Sequence, residues 1–470
     1  MSEPALENKE HSMTKTLILL SFASWPVPAF AQPASAKPGG AQIDATSAPT
    51  TSAAAQASDR GTPGESEPSL ADQLDAAAGK PVPATGGPPP ATQLQGGFRG
   101  FQSLNPDISV ILTGAAGFSQ RAPLVLAGDD PDLKGGPSDR SAGITLQEFE
   151  VGFQSIVDPY FRADAFLTIP NMAGLEVEEA FLTTTSLPYI QVKAGIFRSA
   201  FGRQNGMHLH VQDFVRRPLI NSYLGTDGLR PPGAQVSWLL PLPIFVQLVG
   251  EVFSVAAPDS STNPQFPQQL STFGGGRRTD LTYAGELKFF VPTSESLSFL
   301  GGLNAATGLT PGLVQGQSYQ AARSMLYGAD LYVKYKPPNQ AVTYFSLAWT
   351  TEYFLRTIAG TPGAENGSNR LTDGGFYTQV VVQFARRWFV GIRQDLLGWP
   401  SSELQPRISR TALNLTFYPS EFSKLRASVE YEAPDANASR IQQLSLSHVN
   451  TVAAFLQFEV AIGAHGAHKF

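Results

Sequence analysis

The chain has 470 residues, no cysteine, 15% charged and 10% aromatic residues, and a formal net charge of −6. Without cysteine there are no disulfides or thiolate metal sites, and the net acidic balance argues against nucleic acid as a partner. After residue 32 no run of about twenty apolar residues occurs and mean hydropathy is −0.09, which excludes a helical membrane protein of this size.

Residues 1–31 read as a secretory signal. Lys15 supplies positive charge, Leu17–Phe22 opens an apolar stretch, and Ala29-Phe30-Ala31 gives a small-x-small cleavage pattern. The acidic stretch before Met13 is unusual ahead of such a signal, so Met13 is the expected start. Residues 32–98 are rich in Pro, Ala, Gly, Ser and Thr, with few large apolar side chains. Such a segment cannot bury enough surface to offset its ordering entropy, which predicts a disordered periplasmic tether ahead of a folded unit over 99–470.

From Asp107 the pattern changes to a side-chain period of two. In Ala341–Tyr353, Phe345, Leu347, Trp349, Thr351 and Tyr353 share one parity, while Tyr344, Ser346, Ala348, Thr350 and Glu352 share the other. Sixteen such segments are expected, near 107–119, 143–157, 160–170, 174–186, 189–198, 232–241, 243–255, 278–291, 295–307, 323–336, 340–355, 371–386, 387–396, 407–418, 424–433 and 451–463. Seven tight connections fall around Asp158-Pro159, Leu187-Pro188, Pro241-Leu242-Pro243, Pro292, Pro337-Pro338, Arg386-Arg387 and Pro419-Ser420, and six contain proline. Longer polar connections alternate strictly with them. That alternation predicts an all-β transmembrane antiparallel barrel, with turns and both termini on the periplasmic side and loops outside.

Aromatic residues gather at the tight turns: Tyr160, Tyr189, Trp238, Phe245, Phe289, Tyr335, Trp388, Tyr418 and Phe422. They are expected to form an interfacial girdle. Phe470 shares the parity of Phe458, Val460 and Ile462, which suits a terminal strand handed to the outer-membrane assembly machinery. Glu179 breaks the rule, because parity with Val177 and Phe181 points it toward lipid. A β-bulge is the favoured explanation, and contact with a neighbouring subunit is the alternative.

The run Gln191-Val192-Lys193-Ala194-Gly195-Ile196-Phe197-Arg198-Ser199-Ala200-Phe201-Gly202-Arg203, followed by Arg216-Arg217-Pro218, resembles the strand-and-loop signature of the phosphate-selective porin O and P family. The resemblance is carried mainly by residues 145–240. It implies a sixteen-stranded diffusion channel in the outer membrane that assembles as a homotrimer. It also implies a third external loop that folds inward and narrows the pore. Contact with outer-membrane lipid and lipopolysaccharide is expected of such a barrel, and no cofactor and no catalytic role are expected.

That loop, Ala200–Pro232, carries Arg203, Arg216, Arg217 and Arg230, with Arg198 at its root. Guanidinium groups suit anions. The alternative is that these arginines contact lipopolysaccharide or pair with Asp213 and Asp227. On the inward parity, seven cations (Arg162, Lys193, Lys288, Lys334, Arg393, Arg410 and Arg426) face thirteen acids, among them Glu430 and Glu432. This balance predicts weak selectivity: a basic constriction opposed by an acidic lumen, and no basic ladder for phosphate. His208 and His210 stand two apart, but the sequence nominates no third ligand, so no metal is expected. No catalytic motif such as Gly-x-Ser-x-Gly or His-Glu-x-x-His occurs. A non-conducting barrel acting as adhesin, anchor or receptor is the competing reading.

Overall fold

The structure is a computed structural model that describes residues 106–120, 141–170, 174–225, 228–255, 272–274, 279–310, 322–338, 344–359, 370–402, 407–434 and 450–463. The chain divides into two units, Met1–Glu67 and Pro68–Phe470, and all described residues belong to the second. The expected signal segment, the whole of the expected tether (32–98) and Phe470 lie outside the described residues.

Sixteen strands form: β1 (Asp107–Ser119), β2 (Ala142–Ile156), β3 (Phe161–Ile169), β4 (Glu176–Thr184), β5 (Ile190–Ile196), β6 (Pro232–Leu239), β7 (Phe245–Phe253) and β8 (Thr282–Pro292). They continue with β9 (Leu297–Thr310), β10 (Ala322–Tyr335), β11 (Ser346–Ala359), β12 (Arg370–Ala385), β13 (Trp388–Ser402), β14 (Ile408–Ser420), β15 (Ser423–Pro434) and β16 (Thr451–Gly463). Each pairs antiparallel with its sequence neighbours, and β1 closes on β16 from Ser109↔Gly463 to Ser119↔Ala453. Closure leaves no edge strand. Among the described residues, helix is confined to two 3₁₀ turns, Leu209–Val211 and Leu219–Tyr223.

Alternation sets the two faces. In β14, Arg410, Ala412, Asn414 and Thr416 are buried, whereas Leu413 and Leu415 are exposed. Across the barrel the outward residues are large and apolar: Leu182, Val236, Leu303, Ile392, Leu413, Val429 and Leu456 are all exposed. Six of the nine turn aromatics are exposed at the tight-turn end of the barrel (Tyr160, Tyr189, Trp238, Tyr335, Trp388 and Phe422). Two others depart from the expectation. Phe245 shares the parity of buried Gln247, Val249 and Glu251, and Tyr418 shares that of Asn414 and Thr416 and packs edge-on against Phe389 at 5.3 Å. At the opposite strand ends Phe118, Tyr283, Trp399 and Tyr431 are exposed, forming a second aromatic ring that their long-loop neighbourhoods hid in the sequence.

Register departs from simple alternation at defined places. In β4, Phe166 pairs with Glu179 but Leu167 with Val177, so Glu178 is an extra residue and both glutamates are buried inside. That is the bulge expected at Glu179, and it also turns Phe181 inward against Phe197. A matching bulge in β2 skips Gln147 and buries Gln147 and Glu148 together. The β10–β11 connection is longer than the Pro-Pro turn suggested, because β11 starts at Ser346 rather than near 340. Tyr344 sits at φ 46, which interrupts extended backbone just before the strand.

Candidate pore constriction

The connection from β5 to β6, residues 197–231, enters the barrel. Its root explains the glycine-aromatic signature in physical terms. Gly195 has φ 140, and a Cβ there would lie 2.2 Å from the Ala180 carbonyl oxygen, so only glycine lets β5 pass β4 at this point. Phe197 and Phe201 then turn inside and are fully buried, Phe197 tilted against Phe253 at 5.2 Å and Phe201 edge-on to Phe354 at 5.3 Å. Gly202, at φ 73, turns the chain and donates its N–H to Asn304 Oδ1 at 3.1 Å. Asn205 clips the two limbs of the loop together, donating to Ser199 O and Leu229 O while accepting from the Leu229 N–H.

Acids on one part of the wall receive the loop's donors. Glu251 accepts from the Ala200 N–H (2.9 Å) and from Ser199 Oγ (2.5 Å). Glu352 accepts from the Gln204 N–H at 2.8 Å. Bases on β13–β15 receive its acceptors. Arg393 donates to Arg216 O (2.9 Å), Arg410 to Arg217 O (2.6 Å), Lys424 to His210 O (2.5 Å) and Arg426 to Gln212 O (2.7 Å). Three of the seven inward cations counted from the sequence therefore hold backbone carbonyls of the loop. The charged wall is largely a cradle for this segment, a role that parity alone does not reveal.

Apolar packing completes the seat. Ile220, Tyr223, Leu224 and Leu229 of the loop join Phe253, Leu326, Phe354, Tyr377 and Leu397 in one buried cluster inside the barrel. These wall residues have inward parity, where the sequence reading expected polar side chains. Beside the cluster, Arg356 and Asp373 form a fully buried bidentate pair at 2.9 and 2.7 Å.

The anticipated site arginines each meet a partner. Arg198 pairs with Glu178, with its guanidinium buried. Arg203 stacks over Tyr332 at 3.9 Å. Arg216 pairs with Glu430 and lies 3.8 Å from Glu432, so these three form a single group rather than separate basic and acidic regions. Arg217 donates to the carbonyls of Gln204 and Met207 within the loop. Arg230 reaches Glu176 at 3.2 Å. On the wall, Arg162 pairs with Asp164 at 2.7 Å, Lys288 with Glu286 at 3.2 Å, and Lys193 lies over the Phe181 ring at 4.7 Å. Asp213 accepts from Gln379 at 2.8 Å rather than meeting an arginine among these contacts, and Asp227 lies outside the described residues.

The sequence reading left His208 and His210 without partners. The bulges in β2 and β4 bring Glu148, Glu150, Glu178 and Glu179 to them. His208 Nδ1 lies 3.0 Å from Glu150 Oε2, and His208 Nε2 lies 2.7 Å from Glu179 Oε2. Burial disfavours a charged His208, but Glu178, Glu150 and Glu179 outweigh it and hold the imidazole well above its usual range.

No family model matches the chain. Over 350 residues it is 33% identical to an uncharacterized protein of Aquifex aeolicus (strain VF5), covering 71% of this chain and 72% of that protein. The chain belongs to the family of that Aquifex protein. Among solved structures it is similar to the anion-selective porin from Comamonas acidovorans (10% identity, 76% of this chain and 99% of that one, TM-score 0.49). It is also similar to Pseudomonas putida OprB (10% identity, 77% and 95%, TM-score 0.48) and to the outer membrane channel DcaP of Acinetobacter baumannii (10% identity, 76% and 97%, TM-score 0.46). At these identities and scores the likenesses carry no argument about function. The closed sixteen-stranded pairing and the aromatic-girdled apolar exterior make this an outer-membrane β-barrel.

Proposed function

We propose that the chain forms a water-filled channel for passive diffusion of small hydrophilic solutes or ions across the outer membrane. The observation that carries this reading is the third loop, seated inside a sixteen-stranded barrel by side chains of the wall. A barrel of this strand number is too wide for its own wall residues to fill, so an inward loop sets the free cross-section. Arg216, Arg230 and Lys288 keep about a fifth of their side chains in contact with solvent, and Arg162 keeps 40%, which favours a wet path beside the loop. Purified chain in planar bilayers should give discrete conductance steps. A silent barrel would sink the proposal and favour the second reading, a non-conducting barrel acting through its external loops. One observation supports that alternative: the buried apolar cluster fills the lumen beside β7 to β13.

For selectivity, the ion path proposed here runs past Arg162, Lys193, Arg198, Arg203, Arg216, Arg217, Arg230, Glu430 and Glu432. Most of these charges already have opposite partners, so the channel is only weakly selective, and phosphate is not its particular substrate. Assembly as a homotrimer is supported by strand length. Strands β3 to β7 have 9, 9, 7, 8 and 9 residues, against 14 to 16 for β9 to β13. A seven-residue strand tilted by ~45° rises only roughly 16 Å, short of the ~25 Å apolar band, so this low wall is better covered by protein than by lipid. The taller wall meets lipid and, at its outer end, lipopolysaccharide.

A further inference from the structure

We propose that His208, His210 and Glu150, with Glu148 and Glu178 beside them, form a binding site for one divalent transition-metal ion of the zinc class, which fastens the third loop to the wall. The inference goes beyond the channel reading and does not depend on conduction.

The donor atoms already stand at ligand spacing. His208 Nδ1 is 3.0 Å from Glu150 Oε2 and 3.5 Å from Glu178 Oε2. His210 Nδ1 is 3.5 Å from Glu150 Oε2 and 4.0 Å from Glu148 Oε1. Four ligands about 2.1 Å from a tetrahedral zinc lie roughly 3.4 Å from one another, so these separations match a coordination shell. Both the His208–His210–Glu150 set and the Glu148–Glu150–Glu178 set have donors mutually within 4.8 Å.

Two further observations point to a cation. Glu148 and Glu178 are 5% and 3% exposed, yet Glu148 Oε1 and Glu178 Oε2 accept no hydrogen bond. Buried carboxylate oxygens are costly unless a donor or a cation meets them. In addition, the second nitrogen of His208 is held by Glu179 Oε2 at 2.7 Å, the outer carboxylate that orients a metal-bound imidazole and raises its basicity. Four carboxylates converge here, of which Glu178 is bonded to Arg198.

Imidazole donors decide the class of ion. Calcium and magnesium prefer all-oxygen shells, whereas two imidazoles with a carboxylate suit zinc and its first-row neighbours. The two bulges are what make the set possible, because each presents consecutive residues to the inside where strict alternation would present one.

The full chain, folded in detergent and stripped with chelator, should bind one Zn²⁺ per chain in equilibrium dialysis. Bound Co²⁺ should show the intense visible bands of a low-coordinate nitrogen/oxygen site. His208→Gln and His210→Gln should each weaken binding at least tenfold, and Glu179→Gln by about 10- to 100-fold. Absence of stoichiometric Zn²⁺ overturns the proposal, as does binding that survives both histidine substitutions. The Co²⁺ spectrum of the unsubstituted chain guards against variants that misfold, and a spectrum like that of hydrated Co²⁺ also overturns it.

Discussion

At the scale of single residues, pairing decides what each charge can do. Arg216 and Glu430 share one location, so neutralising either exposes the other. Arg216→Gln should move the cation-to-anion permeability ratio up and Glu430→Gln should move it down, each by roughly two-fold, since one charge in a screened lumen alters the potential by about one kT. The double variant should return close to the original ratio, and reversal potentials in a salt gradient measure all three. Additive, unequal shifts would show that the two groups act independently. The Arg356–Asp373 pair is more deeply placed, both side chains being 0% exposed. Arg356→Met should lower stability by about 3–5 kcal/mol, because Asp373 is left charged and dry, whereas Arg356→Met with Asp373→Leu should recover much of that loss. Urea unfolding of the barrel in lipid provides the measurement.

At the scale of elements, the third loop contributes to the buried core, and it is the proposed constriction. Replacing residues 204–229 with a short Gly/Ser link should raise single-channel conductance by roughly two-fold or more, since the loop sets the narrowest section. The same change uncovers Phe253, Leu326, Phe354 and Tyr377, whose burial contributes on the order of 1.5–3 kcal/mol each, so thermal unfolding should move to lower temperature. Unchanged conductance would place the constriction elsewhere. The bulges in β2 and β4 act at this scale too, because one inserted residue changes which side chains reach the loop.

At the scale of the whole molecule, unequal strand length gives the barrel two kinds of exterior. Val236 on short β6 and Leu413 on tall β14 are both exposed and apolar. Leu413→Arg should cost about 2–4 kcal/mol of stability in bilayers, as arginine does at the lipid midplane, with no change in assembly. Val236→Arg should instead convert trimers to monomers in native electrophoresis. Equal costs with assembly intact in both variants would remove the low wall as the trimer contact.

The sequence by itself determined the strand count, the alternation of faces and most of the aromatic girdle at the tight turns, whereas the inward third loop came from the family resemblance. The first three are local: a period of two, proline turns and loop length are written in adjacent residues. The bulge at Glu179 was legible for the same reason, as a charge out of phase with its strand. Tertiary structure decided the partners. Arg216 meets Glu430 across 214 positions of chain, and Lys424 reaches the His210 carbonyl across another 214, so no spacing rule could pair them. Nor could parity separate a wall residue that faces water from Phe354 or Tyr377, which face a loop. Alternation states only which side of the sheet a residue is on, whereas what fills that side depends on where the loop comes to rest.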